Sequence, residues 1–124
     1  SHEFPLFPGT GSEQETGVGN IFNANLKAGT NGKEFIKIFE QKILYPINKF
    51  KPEIILISAG FDAHVRDPLA NINLNTKDFF KITKKIVDIA NVHSKGRIIS
   101  FLEGGYDLLA LSESIKEHLT ALES

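Results

Sequence analysis

Apolar residues recur at spacings of three and four through Phe35, Ile36, Phe39, Ile43, Ile47 and Phe50, the rhythm of one buried helix face. This predicts an amphipathic helix over 31–49. An Asn31/Glu34 capping pair would open it, and Pro46 should kink it or begin a second short helix. A second stripe, Phe79, Ile82, Ile86, Ile89 and Ala90, predicts a helix over 76–91, with Thr76 as its cap and Asp78 in its first turn. A third, Leu108, Leu111, Ile115, Leu119 and Leu122, marks the inward face of a C-terminal helix. Between these helices the period changes. Segments 54–58 and 97–102 are β-branched and apolar with little polar alternation, as expected of strands covered on both faces. Segment 20–26 half alternates and predicts a short strand. Pro5, Pro8, Gly9, Gly11, Gly17 and Gly19 make 1–20 a loop, ordered by Phe4, Leu6 and Phe7. The order is loop, strand, helix, strand, helix, strand, helix, which describes right-handed βαβ crossovers onto a largely parallel sheet. The class is α/β.

Composition narrows the functions open to such a fold. The 124 residues are 41% hydrophobic and 23% charged, which fits one ordinary domain. Fourteen basic against fifteen acidic side chains leave a net charge of -1. No bulk positive field exists to hold nucleic acid or an anionic membrane. With no cysteine there is no disulfide, no thiolate ligand and no cysteine nucleophile, so any metal must sit on oxygen and imidazole. Every apolar run falls far short of the roughly 20 residues that span a bilayer. A cytoplasmic location is expected. The lack of methionine even at position 1, with neither a basic nor an apolar leader, predicts that the chain is part of a longer protein.

Open parallel sheets bind ligands beyond the carboxyl ends of their strands. Two unusual loops fall there: Ser58-Ala59-Gly60-Phe61-Asp62-Ala63-His64-Val65-Arg66-Asp67-Pro68-Leu69, and Leu102-Glu103-Gly104-Gly105-Tyr106-Asp107. If their strands are neighbours, Asp62 and Tyr106 should approach one another at the sheet edge. Each residue also has a purely structural reading. Asp62 can be a turn former or helix cap, and Asp67 before Pro68 is a good turn residue. Gly104 and Gly105 can permit a sharp bend, and Tyr106 can be a buried ring. His64 forms an Asp-x-His pair with Asp62, although alternate loop residues need not converge. His2, His93 and His118 have no partner at metal-ligand spacing, and His93 and His118 fall on predicted polar surfaces. Gly9-Thr10-Gly11 and Gly17-Val18-Gly19 lack the Gly-Lys-Ser/Thr of a phosphate loop, and no Gly-x-Ser-x-Gly elbow occurs.

The two loops, Ser-Ala-Gly-Phe-Asp-Ala-His with Asp67-Pro68-Leu69, and Leu-Glu-Gly-Gly-Tyr at 102–106, resemble the C-terminal part of the histone deacetylase family. That family includes bacterial acetylpolyamine amidohydrolases and acetoin-utilisation proteins. The opening Ser1-His2-Glu3-Phe4-Pro5-Leu6-Phe7-Pro8-Gly9-Thr10-Gly11 and the Gly17-Val18-Gly19-Asn20 segment match in the same order. The resemblance implies a three-layer α/β/α arginase-like fold, with 1–124 as the C-terminal part of one catalytic domain. It implies a zinc-dependent amidohydrolase that removes an acyl group, usually acetyl, from an amine nitrogen. By position, Asp62 corresponds to a zinc ligand and Tyr106 to the catalytic tyrosine. Phe7 corresponds to an aromatic wall of a narrow substrate tunnel, and Gly104 and Gly105 to glycines at its floor. His64 and Asp67 are not ligands in this alignment.

The family's histidine pair and its Asp-x-His ligands belong before the Ser-His-Glu-Phe segment and are absent from this sequence. The segment alone is therefore expected to hold no stable zinc and to be inactive. Ala70 replaces the glycine common after Asp-Pro-Leu. The expected partners are an acetyl-lysine-like or small acyl-amine substrate and the missing N-terminal half. Self-association through uncovered apolar surface is also expected. The competing reading is a non-catalytic α/β module that binds a ligand or partner at the same strand ends.

Overall fold

The computed structural model describes residues 8–124, so Phe7 and the opening Ser-His-Glu-Phe segment lie outside the described residues. The first helix, α1 (Gly32–Phe39), opens as the sequence predicts. Glu34 donates its backbone N–H to Asn31 Oδ1 at 3.1 Å, and Asn31 returns its N–H to Glu34 Oε2 at 3.2 Å. Pro46 leaves its mark upstream. Glu40–Leu44 widens into a π-helical turn in which the Tyr45 N–H reaches Glu40 O, and α2 (Tyr45–Phe50) restarts with the proline in its first turn. A missing N–H costs nothing at that position. Lys51, at φ 55°, ends the helix.

The predicted strand at 20–26 does not form. Its asparagines bond to the preceding loop instead: Asn23 Nδ2 donates to Ser12 O at 2.8 Å, and Asn25 N to Glu13 Oε1 at 3.3 Å. Side-chain amides and carboxylates that satisfy the backbone in this way compete with a ladder. The apolar residues that suggested alternation, Ile21 and Phe22, are exposed.

Two strands remain, β1 (Ile55–Ala59) and β2 (Ile98–Leu102), paired in parallel from Ile55↔Ile98 to Ala59↔Leu102. The crossover between them contains α3 (Thr76–His93). Asn75, rather than Thr76, caps it: the Asn75 N–H is held by Asp78 Oδ2 at 3.0 Å. The Thr76 hydroxyl is committed elsewhere. The core lies between the sheet and the helices, with Ala59, Phe61, Ala63, Leu74 and Phe79 packed against Ile57, Ile82, Leu111 and Ile115. The other sheet face is apolar and open, with Leu56, Ile99 and Phe101 all about half exposed or more. Among the described residues the strands are thus covered on one face only, because no helix reaches the second.

The last helix, α4 (Leu108–Leu122), is capped by Asp107, whose Oδ1 accepts the Ala110 N–H at 2.7 Å. Its buried stripe is Ala110, Ser114, His118 and Ala121, rotated from the predicted leucine face, while Leu108 is 80% and Leu119 51% exposed. Small residues allow α4 to lie close against α3, and Leu111 and Ile115 reach the core from the edge of that contact. His118 is therefore no surface histidine. Its Nδ1 meets Thr83 Oγ1 at 2.7 Å and its Nε2 meets Ser100 Oγ at 2.9 Å, joining α4 to α3 and β2. Among the described residues no helix is long and apolar enough to cross a membrane.

Candidate functional site

The chain leaves β1 with alternate residues facing in and out. Phe61 and Ala63 enter the core, and Phe61 packs on Phe79 with ring centroids 5.2 Å apart. Asp62 between them is left half-buried at the surface. The two strand-end loops are tied together by backbone bonds, from Glu103 N to Ala59 O at 3.0 Å and from Phe61 N to Gly104 O at 2.7 Å. This extends the parallel ladder past the strands and sets Asp62 beside the glycine pair.

Gly104 is the meeting point. A Cβ there would lie 2.9 Å from Asp62 Oδ2 and 3.5 Å from Tyr106 Cε2, so the carboxylate and the phenol ring flank one glycine from two sides. Asp62 Oδ1 would also lie 3.1 Å from a Cβ on Gly60. The carboxylate thus occupies a slot walled by two glycines, and among the described residues it has no hydrogen-bond or ion-pair partner. Gly105 adopts φ +147°, and a Cβ there would come 2.7 Å from Leu111 Cδ1 and 3.3 Å from Phe61 Cβ. The first glycine therefore makes room for site side chains, and the second for the core. Tyr106 is 55% exposed rather than a buried ring. Asp62 and Tyr106 both line an open groove of about 1150 Å³, with Leu69, Ala70, Phe22 and Phe35 along its sides. The described residues form a groove and not a narrow tunnel.

His64 is occupied elsewhere. Its Nδ1 accepts the Arg66 N–H at 3.1 Å, so Nε2 carries the proton and meets Thr76 Oγ1 at 3.1 Å. The Thr76 hydroxyl donates to Glu113 Oε2 at 3.4 Å, and Glu113 pairs with the Arg66 guanidinium, which closes a ring of contacts. His93 bonds Asn48 Oδ1 at 2.8 Å. His2 lies outside the described residues. Among the described residues no three histidine or acidic side chains come together as a metal set.

Asp67 does more than the sequence indicates. It keeps the expected turn, with Oδ1 accepting the Leu69 N–H at 2.9 Å, and its Oδ2 accepts the Tyr106 N–H at 2.8 Å. A backbone partner 39 positions away leaves no signal in residue types or spacing.

Burial lowers the pKa of both His64 and His118, and for His64 the Arg66 charge adds to the effect. The Arg66 N–H donated to His64 Nδ1 suits a neutral ring, and the hydroxyls of Thr83 and Ser100 can bond His118 as a neutral ring. Unfolded histidines bind protons below about 6.5, where these folded ones still resist, so the unfolded state takes up more protons and stability rises with pH in that window. The contribution is whole above neutrality and is lost as the pH falls from about 6.5 toward the depressed folded-state values. Urea midpoints are expected to be lower at pH 5.5 than at pH 7.5. Equal midpoints, or a rise on acidification, would contradict this account of the two histidines.

The sequence matches the histone deacetylase domain family over residues 1–122. It is 39% identical to histone deacetylase 14, chloroplastic, of Arabidopsis thaliana over 98% of this chain and 30% of that protein. It is 35% identical to a probable deacetylase of Archaeoglobus fulgidus over 87% of this chain and 31% of that protein. Among solved structures, the HD domain of HDA15 superposes with a TM-score of 0.80 at 28% identity, covering 94% of this chain and 33% of that one. The chain thus spans about a third of the length of these relatives. A match that runs almost from end to end, over a parallel α/β fold, shows that the chain belongs to the histone deacetylase family.

Proposed function

We propose that, in the intact protein, this segment forms the C-terminal wall of a zinc-dependent deacylase that cleaves acetyl-amide bonds of the acetyl-lysine or acetylpolyamine type. The observation that carries this reading is the convergence of the Asp62 carboxylate and the Tyr106 ring on Gly104, at the lip of an open groove. A catalytic zinc normally takes three protein ligands and keeps one position open. Asp62, unpartnered in its glycine slot, suits one ligand position, and the other ligands must come from chain outside the described residues. When bound, zinc polarises an amide carbonyl and lowers the pKa of its water.

The contribution of this chain is electrostatic. The Tyr106 hydroxyl is a hydrogen-bond donor that can serve the carbonyl oxygen as negative charge builds there. Phe7, which lies outside the described residues, is proposed by resemblance alone as an aromatic contact for the acyl chain. Gly104 would leave the floor open for the amide, whereas Gly105, expected beside it at the floor, gives its space to Leu111 and Phe61 in the core. The uncovered sheet face of Leu56, Ile99 and Phe101 is where the N-terminal half of the domain would pack, supplying the second helical layer.

The test compares the full-length protein with this segment. The full-length protein is expected to bind zinc stoichiometrically and to release acetate from acetyl-lysine or acetylpolyamine substrates. The 124-residue chain is expected to do neither. Stoichiometric zinc in the isolated segment, or a full-length protein inactive across such a panel, would overturn the reading.

A further inference from the structure

We infer that Asp67 is a positioning residue for Tyr106, an inference that rests on the role proposed above for the Tyr106 phenol. Asp67 is 9% exposed, and its carboxylate is used by two backbone N–H groups, Leu69 at 2.9 Å and Tyr106 at 2.8 Å. The second bond falls where the chain most needs an anchor. Two glycines precede Tyr106, and Gly105 is already at φ +147°, so local preference fixes little about the direction in which the chain continues. Packing offers no alternative, since more than half of Tyr106 faces solvent.

Two acidic side chains bracket the tyrosine. Asp67 grips its N–H, and Asp107, the next residue, holds the start of α4 through Ala110 N at 2.7 Å. The first anchor comes from the β1 loop, where Asp67 N bonds His64 O at 2.9 Å and His64 is locked to Thr76. That same loop carries Asp62. The backbone bonds at Ala59 and Phe61 tie the two loops together as far as Gly104, and the Asp67 carboxylate then fixes Tyr106 itself against the loop that carries Asp62. A loop misplaced by about 1 Å can cost a hundredfold in rate.

The informative variant is Asp67→Asn in the full-length protein. It keeps the size of the side chain but replaces one acceptor oxygen with a donor, which leaves either Leu69 N or Tyr106 N facing an N–H. The expected result is a kcat lower by about tenfold with KM within about twofold, as for loss of a contact that matters in the transition state. In a Tyr106→Phe background the same substitution should cost almost nothing, because there is no hydroxyl left to aim. Hydrogen exchange at the Tyr106 amide should speed up in Asp67→Asn. Equal losses of kcat in the two backgrounds would make Asp67 a general structural residue and overturn the inference, as would unchanged kcat. An unchanged Tyr106 exchange rate would overturn the clamp while leaving the proposed role of the phenol intact. Full turnover of Tyr106→Phe alone would instead remove the role of the phenol, and with it the catalytic meaning of Asp67.

Discussion

Tyr106→Phe in the full-length protein is expected to lower kcat by two or more orders of magnitude while leaving zinc content and thermal stability unchanged. A single preorganised oxyanion donor is worth about 3 kcal/mol, which is roughly a hundredfold in rate. The structure limits the effect to chemistry. The ring is 55% exposed, and the hydrogen bonds that place the residue come from Asp67 to its backbone and from the α4 cap that follows it, neither of which the substitution touches. Removal of one oxygen from a solvent-facing ring leaves no cavity and no buried polar group unpaired. The loss should appear in kcat and kcat/KM together, with little change in KM, because the donor acts on charge that the bound substrate does not yet carry. Steady-state kinetics on acetylated substrates and metal analysis of the same preparation would measure both halves. A variant that turned over at the parental rate would leave Tyr106 a bystander at the groove.

The residues that hold this site differ in how plainly the sequence announces them. Helices α1, α3 and α4 are legible in the apolar period, and strands β1 and β2 in short β-branched apolar runs. So is the meeting of Asp62 and Tyr106, since consecutive strands joined by a helix lie side by side in parallel. Contacts between distant polar groups are different. Nothing in the run around Asp67 shows that its second oxygen serves a backbone N–H at Tyr106, and nothing near His118 shows that Thr83 and Ser100 will satisfy both ring nitrogens. The same limit explains the misplaced strand at 20–26, where asparagine and glutamate side chains outcompete a ladder. It also explains the rotated face of α4. Leucines at helical spacing mark a face that is apolar, but the close approach to α3 selects Ala110, Ser114 and Ala121 because they are small. Phe7 was legible only through resemblance, and its place lies outside the described residues.

Neighbouring glycines should give opposite phenotypes. Gly104→Ala is expected to cost little stability, under about 1 kcal/mol, while weakening zinc binding by tenfold or more and lowering turnover in proportion. The new methyl would stand 2.9 Å from Asp62 Oδ2 and 3.1 Å from its Cγ, too close for both to remain. Asp62 is the group free to move, since it is half-buried and no hydrogen bond among the described residues retains it. Its displacement relieves the clash cheaply and carries the carboxylate out of its slot. Gly105→Ala meets resistance from the opposite direction. Its φ of +147° disfavours any side chain, and the methyl would press on Leu111 Cδ1 at 2.7 Å and Phe61 Cβ at 3.3 Å, both committed to the core. Strain and overpacking there should cost about 2–4 kcal/mol, seen as a lower urea midpoint. Zinc titration and urea denaturation of the two full-length variants would separate these effects. A Gly104→Ala protein that bound zinc with parental affinity would show that Asp62 is not a ligand, or that the slot between Gly60 and Gly104 is not where it binds.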